Sequence, residues 1–314
     1  MTITSQQPIG PFVLTPVQSE RIWGVTSLEP WFDIPVTGKP IGELWMTAEE
    51  CAIEDGPLRG ETLAAVTARY PELLADKVAG GVPLLIKILL PREKLSIQVH
   101  PNDEQARAVG EPRGKTECWY VLSADPGATI ALGFREPLSK EAMREAIEQG
   151  TIEDKLAHLP VKTGDMVYVE AGTIHALGPG VVVLETQQYS DSTYRLYDYG
   201  RPRPLHLDQG LAVTRAVTAS GLMPPVPFGG YTRLIKAPYF TVDRFDISAG
   251  QKIELGNTDR LQLLIALAKG ASIQPASGDA ALELPKSHAV VLPGEGIRYQ
   301  LTAASDVQVI RVMP

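Results

Sequence analysis

The 314-residue sequence has few of the features that mark secreted or membrane-spanning proteins. It contains two cysteines, Cys51 and Cys118, which are too few for a disulfide framework. Its apolar runs, such as residues 263–268, are far shorter than the roughly 18–20 residues that span a bilayer. The first eight residues have neither the basic region nor the apolar stretch of a secretory signal. We therefore expect a soluble cytoplasmic protein without a membrane partner.

Basic charge is also scarce. The chain has 29 Lys and Arg against 37 Asp and Glu, a formal net charge of −8, and a nucleic-acid partner is therefore not expected. Hydrophobic residues make up 44% and charged residues 21%, which is an ordinary globular mixture and argues against disorder. The 28 glycines and 26 prolines exceed the usual share of turn-forming residues, and they favour many short strands over a helical bundle.

A few segments have the spacing of apolar residues that is typical of helices. Residues 61–76 are rich in Ala and Leu, and Pro71 is a predicted boundary within them. In residues 139–149, Ser139 is a predicted N-cap and the glycine at position 150 ends the helix. Residues 152–159 continue at helical spacing as a short second piece, and residues 205–217 are a further candidate.

The rest of the chain has the pattern of strands and turns, which predicts a mainly β fold. Strands are predicted at residues 84–90, 96–100, 117–122, 166–169, 181–185 and 193–197. A proline-rich stretch at residues 223–227 then precedes a second strand-rich region at residues 239–312. We predict a first domain over residues 1–215, a linker over 216–230 and a second β domain over 231–314. Residues 164–175 and 287–298 share a weak pattern of polar turn, apolar strand and glycine turn, which supports two related β domains.

The first group of candidate functional residues is distributed over three predicted strand positions. Gln98 and His100 project from one face of a strand, because side chains two residues apart share a face, and Ser96 lies on the same side. Lys115 and Glu117 also share a face, and a second histidine, His175, follows a turn much later in the chain. Two imidazoles, a carboxylate and an amide oxygen would suit a divalent cation such as Zn²⁺ with a position left open. A single strand histidine is more often structural than a ligand, so the structural alternative stays open at this point.

The second group lies in residues 185–201, which are rich in acidic, arginine and tyrosine side chains. If this segment is extended, Arg195 and Tyr197 share a face. One interpretation is a surface hairpin with exposed ion pairs, which stabilise little. The other is that Arg195 is a planar, permanently charged donor to an anionic substrate.

Seven short motifs in these regions together resemble the type I mannose-6-phosphate isomerases. They occur in the family's order, span residues 20–205, and form a specific combination although each alone is weak. The motifs are Ile-Trp-Gly at 22–24, Ile-Gly-Glu-Leu-Trp at 41–45, Pro-Leu-Leu-Ile-Lys at 83–87, Ser-Ile-Gln-Val-His-Pro-Asn at 96–102, Gly-Lys-Thr-Glu at 114–117, Ala-Gly-Thr-Ile-His-Ala at 171–176 and Ser-Asp-Ser-Thr-Tyr-Arg at 190–195. The chain lacks the large helical insertion of longer members, and Tyr189 stands where many relatives carry Asn.

The resemblance implies two cupin-like jelly-roll β domains with a few short helices attached to the first. It also implies an enzyme that interconverts the hexose 6-phosphates mannose 6-phosphate and fructose 6-phosphate, with one zinc ion per chain. The family's zinc ligands fall on the positions named above, namely Gln98, His100, Glu117 and His175. Its active-site lysine falls on Lys115, its acid–arginine pair on Asp191 and Arg195, and two pocket-lining positions on Lys87 and Ser96.

Aldose–ketose isomerisation moves a proton between C1 and C2 through an enediol, and the negative charge that develops on oxygen must be stabilised. Either Lys115 with a lowered pKa or a zinc-bound hydroxide serves as the base, and the sequence leaves both open. Asp191 is expected to orient a hydroxyl or carry a proton during ring opening. Arg195 is expected to bind the enediolate or the phosphate, and Lys87 and Ser96 are expected to add phosphate contacts.

Two other functions are compatible with the same residues. A non-catalytic metal cupin would bind a sugar phosphate as a sensor or carrier. An iron oxygenase is disfavoured, because Gln98 and Lys115 depart from the face of two histidines and one carboxylate that such chemistry uses. The oligomeric state, monomer or dimer, is left open.

Overall fold

Antiparallel strands build most of the computed structural model, which describes residues 9–32, 38–256 and 260–314. The first eight residues, for which no secretory signal is predicted, lie outside the described residues. The strands are β1 (Phe12–Leu14), β2 (Val17–Val25), β3 (Ile41–Trp45), β4 (Leu84–Leu89), β5 (Ile97–Val99), β6 (Glu117–Ala124), β7 (Thr129–Phe134), β8 (Leu156–Pro160), β9 (Met166–Val169), β10 (His175–Leu177), β11 (Val181–Gln188), β12 (Tyr194–Tyr197), β13 (Gly221–Met223), β14 (Val226–Phe228), β15 (Tyr231–Lys236), β16 (Thr241–Ile247), β17 (Lys252–Leu255), β18 (Gln262–Ala266), β19 (Ala271–Pro275), β20 (Leu282–Leu284), β21 (Ala289–Leu292), β22 (Tyr299–Ala303) and β23 (Val307–Met313). The helices are α1 (Leu63–Arg69), α2 (Pro71–Leu74), α3 (Asp103–Ala108), α4 (Lys140–Glu148) and α5 (Leu207–Val213), with a 3₁₀ turn at Ile152–Lys155. The predicted mainly β fold is confirmed.

Two residues predicted to mark helix boundaries do so in the structure. The Ser139 side chain accepts a hydrogen bond from the backbone N–H of Ala142 and caps α4. Pro71 is the first residue of α2, so it separates α1 from α2 as predicted. The helix predicted over residues 205–217 is shorter, because α5 begins at Leu207 and ends at Val213.

Two local predictions differ from the structure. Residues 152–159 do not form a helical piece: a 3₁₀ turn is followed by β8, which pairs with β7. Pairing with β7 outweighs the helical spacing of the apolar residues here, since a strand in a sheet gains both backbone hydrogen bonds and burial. Helix α3 was not predicted, and it begins with a capping box between Asn102 and Gln105.

The first β-sandwich consists of a five-stranded and a seven-stranded sheet, with strand orders β12-β5-β10-β7-β8 and β13-β9-β6-β11-β4-β3-β2. Side chains such as Trp119, Val121 and Val183 fill one core between these sheets. Helices α4 and α5 cover the other face of the five-stranded sheet, where Met143 and Leu211 pack with Ile97. The predicted helices therefore attach to the first sandwich.

The second β-sandwich has strand orders β1-β21-β18-β23-β16-β15-β14 and β17-β22-β19-β20. Strand β1 reaches it from the beginning of the chain and pairs with β21, with Phe12 opposite Val291. The predicted linker residues form strands, of which β13 pairs with β9 and β14 pairs with β15. The boundary at residues 216–230 stays a prediction. Strand β1 precedes this boundary in the sequence but belongs to a sheet of the second sandwich.

The two seven-stranded sheets pack against each other through the faces turned away from their own sandwich interiors. One continuous apolar cluster joins Ile86 and Ile88 of β4 to Leu263 and Ile265 of β18. The opposite face of β4, β6 and β11 is therefore free to carry polar side chains into the first sandwich. Within the described ranges, no helix is both long and apolar enough to cross a membrane.

Candidate active site

Neighbouring strands bring the candidate residues to one end of the first sandwich. In the five-stranded sheet, Gln98 of β5 lies opposite His175 of β10 on one side and opposite Arg195 of β12 on the other. Glu117 is the first residue of β6 in the facing sheet. His100 follows the end of β5, and its backbone carbonyl accepts a hydrogen bond from the N–H of Gly172.

Three of these side chains form a buried cluster. Ligand atoms of His100, Glu117 and His175 all lie within 4.8 Å of one another. The distance from Nε2 of His100 to Oε2 of Glu117 is 3.6 Å, and from Nε2 of His175 to Oε1 of Glu117 it is 3.5 Å. Each of the three side chains is only 1% exposed. This is the spatial arrangement expected of ligands that share one cation.

Backbone carbonyls orient both imidazole rings toward the cluster. The Nδ1–H of His100 donates to the carbonyl oxygen of Ser192, and the Nδ1–H of His175 donates to that of Thr173, each at 2.9 Å. The lone pair of each neutral ring is then on Nε2, which faces Glu117. Burial lowers the pKa of His100 well below its ordinary value and that of His175 to about 4, so both rings are neutral at neutral pH.

The surroundings of the Glu117 carboxylate indicate whether these residues fit a metal ion. Both of its oxygens are buried and accept no hydrogen bond, although the Lys115 ammonium lies 3.1 Å from Oε2. Buried carboxylate oxygens are normally satisfied, so an Oε1 that accepts no hydrogen bond among the described residues and lies 3.5 Å from Nε2 of His175 fits a divalent cation.

Gln98 is placed to complete the set. Its Nε2–H donates to Nε2 of His175 at 3.3 Å, and its Oε1 accepts from the Ser96 hydroxyl at 3.3 Å. A half-turn of the amide would place the oxygen toward the cluster and let the Ser96 hydroxyl accept from the amide N–H instead.

A polar cavity of about 420 Å³ opens beside the cluster. His100 and Glu117 lie behind its wall, whereas the other predicted site residues line it: Lys87, Ser96, Gln98, Lys115, His175, Asp191 and Arg195. The structure therefore collects all nine predicted residues around one cavity.

Lys87 is buried in the cavity wall, as its position inside an apolar run predicts. Its ammonium lies 3.7 Å from Glu43, 3.8 Å from Glu185 and 3.6 Å from Asp191. It also lies 4.7 Å from the ring centre of Trp45, a cation–π contact. Opposite charge surrounds this lysine on several sides.

Lys115 is also buried, and its ammonium donates to Nε2 of His100 at 3.2 Å. Burial by itself lowers the pKa of Lys115, but the negative charges of Glu117, Glu185 and Asp191 outweigh burial and raise this pKa above its ordinary value. In the surroundings that the protein supplies, Lys115 therefore carries a proton.

Three arginines line the cavity together: Arg21, Arg195 and Arg203. Arg21 donates to both oxygens of Glu43, and Arg203 donates to both oxygens of Asp198. Among the residues that the structure describes, the Arg195 guanidinium donates to the carbonyl of Pro204 and to no carboxylate, and its Nε is buried without a partner.

One expectation for Arg195 does not match the structure. Asp191 contacts Lys87 at 3.6 Å, and no ion pair joins it to Arg195 within the described part of the chain, although both line the cavity. The prediction that Arg195 and Tyr197 share a face is wrong. A bulge between them places Arg195 on the cavity side and packs Tyr197 with the residues under α4 and α5.

Several residues of the site were not predicted, among them Arg21, Glu43, Glu185 and Arg203. Glu185 follows the apolar residues at the start of β11, and its Oε1 accepts from the indole N–H of Trp119 at 3.1 Å. A single carboxylate directly after the apolar residues 181–184 is a signal that would have identified it. Arg21 has no comparable signal, because only the pairing of β2 with β3 brings it to Glu43.

Two β-sandwiches, one of which holds a His–Glu–His cluster beside a polar cavity, define a protein of the cupin type. A sequence model described as "Phosphomannose isomerase type I, catalytic domain" matches residues 12–132. The chain is 37% identical over 257 residues to the mannose-6-phosphate isomerase of Streptococcus mutans, covering 78% of this chain and 81% of that protein. It is 33% identical over 305 residues to the mannose-6-phosphate isomerase ManA of Bacillus subtilis, covering 90% of this chain and 93% of that protein.

The fold agrees with these sequence relationships. The crystal structure of the Bacillus subtilis mannose 6-phosphate isomerase superposes with a TM-score of 0.85 at 30% identity, over 96% of this chain and 99% of that one. The chain belongs to the type I phosphomannose isomerase family, and the predicted resemblance is confirmed. It is an isomerase, with two cupin-like jelly-roll domains.

Proposed function

We propose that this enzyme interconverts D-mannose 6-phosphate and D-fructose 6-phosphate through an enediol, with one zinc ion per chain. The observation that carries the proposal is the buried Glu117 carboxylate, which lies between two oriented imidazoles beside a polar cavity and whose Oε1 accepts no hydrogen bond among the described residues. Sugar phosphates are polar and anionic, and a cavity of about 420 Å³ lined by charged groups suits a ligand of that class.

The zinc ion would be held by His100, Glu117, His175 and Gln98 once its amide oxygen faces the cluster. A donor set rich in imidazole favours zinc over Mg²⁺ or Ca²⁺. Bound there, the ion would polarise the substrate carbonyl and offset the negative charge that develops on oxygen. One carboxylate among the ligands leaves a net positive centre.

Arg195 is our candidate for the phosphate contact. Within the described part of the chain its guanidinium donates to no carboxylate, and burial together with the positive charges of Arg203 and Arg21 lowers its pKa. Arginines that line one cavity repel one another, and a bound dianion relieves that repulsion while it gains charge-assisted hydrogen bonds. Lys87 is less suited to the phosphate than the sequence predicts, because three carboxylates already surround its ammonium.

Proton transfer is assigned to Lys115 and Asp191. The Lys115 side chain lines the cavity between Glu117 and the open space. A divalent cation held at Glu117 would lower the pKa of Lys115, and its neutral amine would then take the proton that leaves C2 and return it to C1. Asp191, whose side chain is 63% exposed, lies at the cavity edge beside Lys87 and can accept a hydroxyl proton when the sugar ring opens. Lys87 and Ser96 are assigned to the hydroxyl groups of the substrate, since both line the same wall.

The test combines metal analysis with turnover. Metal-free protein is reloaded with zinc and assayed for fructose 6-phosphate formed from mannose 6-phosphate, and His100→Ala is expected to lose zinc and activity together. His158→Ala is the matched control, because His158 is an exposed histidine of the same sandwich. No turnover by zinc-loaded wild-type protein would defeat the proposal, and tight binding of mannose 6-phosphate without turnover would favour a sensor or carrier. Full zinc occupancy in His100→Ala would contradict the ligand assignment.

We further propose a cytoplasmic location. Cys51 and Cys118 are free and buried, which is compatible with a reducing compartment. Localisation of the tagged full-length chain by cell fractionation tests this assignment.

A further inference from the structure

In the turn that carries Lys115, three successive backbone N–H groups each donate a hydrogen bond. The N–H of Gly114 donates to Oδ1 of Asp103 at 2.8 Å, that of Lys115 to the carbonyl of Pro101 at 2.9 Å, and that of Thr116 to Oε1 of Gln188 at 3.0 Å. The Gln188 side chain in turn donates to Oδ1 of Asp103 at 2.8 Å. Asp103, the turn and Gln188 therefore form a closed ring of hydrogen bonds around the backbone of Lys115.

The outer oxygen of Asp103 is held by the second sandwich. The hydroxyl of Tyr239, in the β15–β16 connection, donates to Oδ2 of Asp103 at 3.1 Å across 136 residues of sequence. This is the only hydrogen bond to Oδ2 within the described residues. Because a carboxylate that accepts at both oxygens has its plane fixed, Tyr239 sets the direction in which Asp103 presents Oδ1 to Gly114 and Gln188.

We propose that Tyr239 is a positioning residue, which acts through Asp103 to hold Lys115 at the substrate. The inference rests on the proposed function, since it assigns the second sandwich a part in the reaction for which Lys115 is the proton carrier. The ammonium of Lys115 must reach C1 and C2 of one bound sugar, and small displacements of a proton carrier slow transfer steeply. Among the described residues, the Asp103 carboxylate accepts no hydrogen bond from a side chain of the metal cluster. We therefore expect a change at Tyr239 to leave zinc binding unaffected.

The first test is Tyr239→Phe in the full-length, zinc-loaded enzyme. We expect kcat to fall about tenfold, with KM for mannose 6-phosphate within about twofold of wild type and zinc content unchanged. Tyr120→Phe is the matched control: the Tyr120 hydroxyl also meets the second sandwich, at 3.5 Å from Oε1 of Gln308, but it has no connection to the turn. Its kcat should stay within about twofold of wild type.

A double-mutant cycle separates positioning from general stabilisation. Tyr239→Phe should slow the wild-type enzyme but cause no further loss in an Asp103→Ala background, because its effect passes through that carboxylate. Asp103→Asn should retain most of the activity, since its amide oxygen still accepts from Gly114 and Gln188 and its N–H donates to the Tyr239 oxygen. If Asp103→Ala does not fold, Asp103→Asn serves as the second background, in which Tyr239→Phe should cost less than in wild type.

Two results would overturn the inference while leaving the proposed function intact. One is an active wild-type enzyme whose Tyr239→Phe variant keeps its kcat. The other is an equal loss from Tyr239→Phe with and without the Asp103 carboxylate. A wild-type chain that binds zinc but does not isomerise mannose 6-phosphate would instead overturn the proposed function, and this inference with it.

Discussion

Glu185 is a buried carboxyl group whose surroundings oppose its charge. Burial raises its pKa from the ordinary 4.5 to about 7, and the neighbouring Glu117 acts in the same direction. The positive charges of Lys115 and Lys87 offset only part of this effect. A carboxyl group in such a place is protonated in the folded protein over a pH range in which it is ionised in the unfolded chain.

The pH dependence of stability follows from this shift. Between pH 4.5 and about 7 the folded state binds the Glu185 proton more tightly, so its contribution to stability is full below pH 4.5 and is lost as the pH rises through 7. Glu185→Gln removes that titration but keeps an acceptor for the Trp119 indole. We expect urea unfolding of the metal-free proteins to show the variant gaining stability relative to wild type from pH 5 to pH 8. An identical difference at the two pH values would contradict the shift.

Lys115 carries the most direct catalytic prediction. Lys115→Met keeps the length of the side chain but removes the proton that it holds. We expect zinc content to be retained and kcat to fall by about two to four orders of magnitude. Lys162→Met, at a lysine that is 83% exposed, is the control and should leave kcat unchanged. A near-normal rate for Lys115→Met would assign the proton transfer to a water molecule in the cavity.

Part of the candidate site can be predicted from local sequence patterns, and part of it cannot. Alternation along a strand is sufficient to predict that Gln98 and His100 face one way, and the structure places both beside His175. The bulge after Arg195 removes that alternation in β12, so the face of Tyr197 is predicted wrongly. Arg21 and Glu43 meet only through the register of β2 with β3, which no local pattern encodes.

At the scale of elements, the turn before β6 depends on a glycine at position 114. A Cβ added there would lie 2.4 Å from the backbone carbon of Asn102 and 2.6 Å from the nitrogen of Asp103. These are backbone atoms at the start of α3, and they cannot move aside as a flexible side chain can. Helix α3 and the Lys115 turn are thus packed so closely that a methyl group does not fit between them.

We therefore expect Gly114→Ala to displace the turn. The predicted result is a fall in kcat of about a hundredfold and a lower Tm, because both the Asp103 contact and the direction of Lys115 change. Gly221→Ala is the matched control, since a Cβ at Gly221 in β13 has nothing within 4 Å. Activity and thermal unfolding of the two variants provide the measurement, and equal effects from both would show that the close approach at Gly114 is unimportant.

The element predictions succeed where a turn signal bounds an apolar run and fail where no such signal is present. Strands β4, β6 and β9 begin at the predicted residues, since each follows a turn signal and continues as an apolar run. Helix α3 is only 6 residues long, too short for an apolar periodicity to show. The helix predicted within residues 152–159 fails because Ile152, Leu156 and Leu159 have helical spacing, while the hydrogen bonds of β7 select a strand.

At the scale of the whole molecule, the two sandwiches share a core rather than merely touching. Leu263 and Ile265 of the second sandwich belong to the same buried cluster as Ile86 and Ile88 of the first. Strand β1 also pairs with β21 of the second sandwich before the chain enters the first at β2. Neither feature follows from the sequence pattern, because contacts between sheet faces are made by residues distant in the chain.

A shared core predicts that the two sandwiches unfold together. Calorimetry of the metal-free protein should show one transition whose calorimetric and van't Hoff enthalpies agree. Ile265→Ala creates a cavity in the shared cluster and should lower the free energy of unfolding by about 2–5 kcal/mol, with the single transition moving as a whole. Leu222→Ala is the control, because Leu222 is 43% exposed and little apolar contact is lost there.

The enzymatic activity of Ile265→Ala distinguishes joint from separate unfolding of the two sandwiches. The Ile265 side chain lies in the second sandwich, so a molecule with independently stable halves would show two transitions, of which Ile265→Ala shifts only one. Part of the isomerase activity, at about the level of Tyr239→Phe, would then survive to the wild-type temperature, since all nine predicted site residues lie in the first sandwich and only the Tyr239 contact is lost. If the core is shared, activity disappears at the lowered temperature together with the calorimetric transition of the zinc-loaded enzyme. Residual activity of the zinc-loaded Ile265→Ala enzyme after heating therefore shows whether the first sandwich stays folded when the second one unfolds.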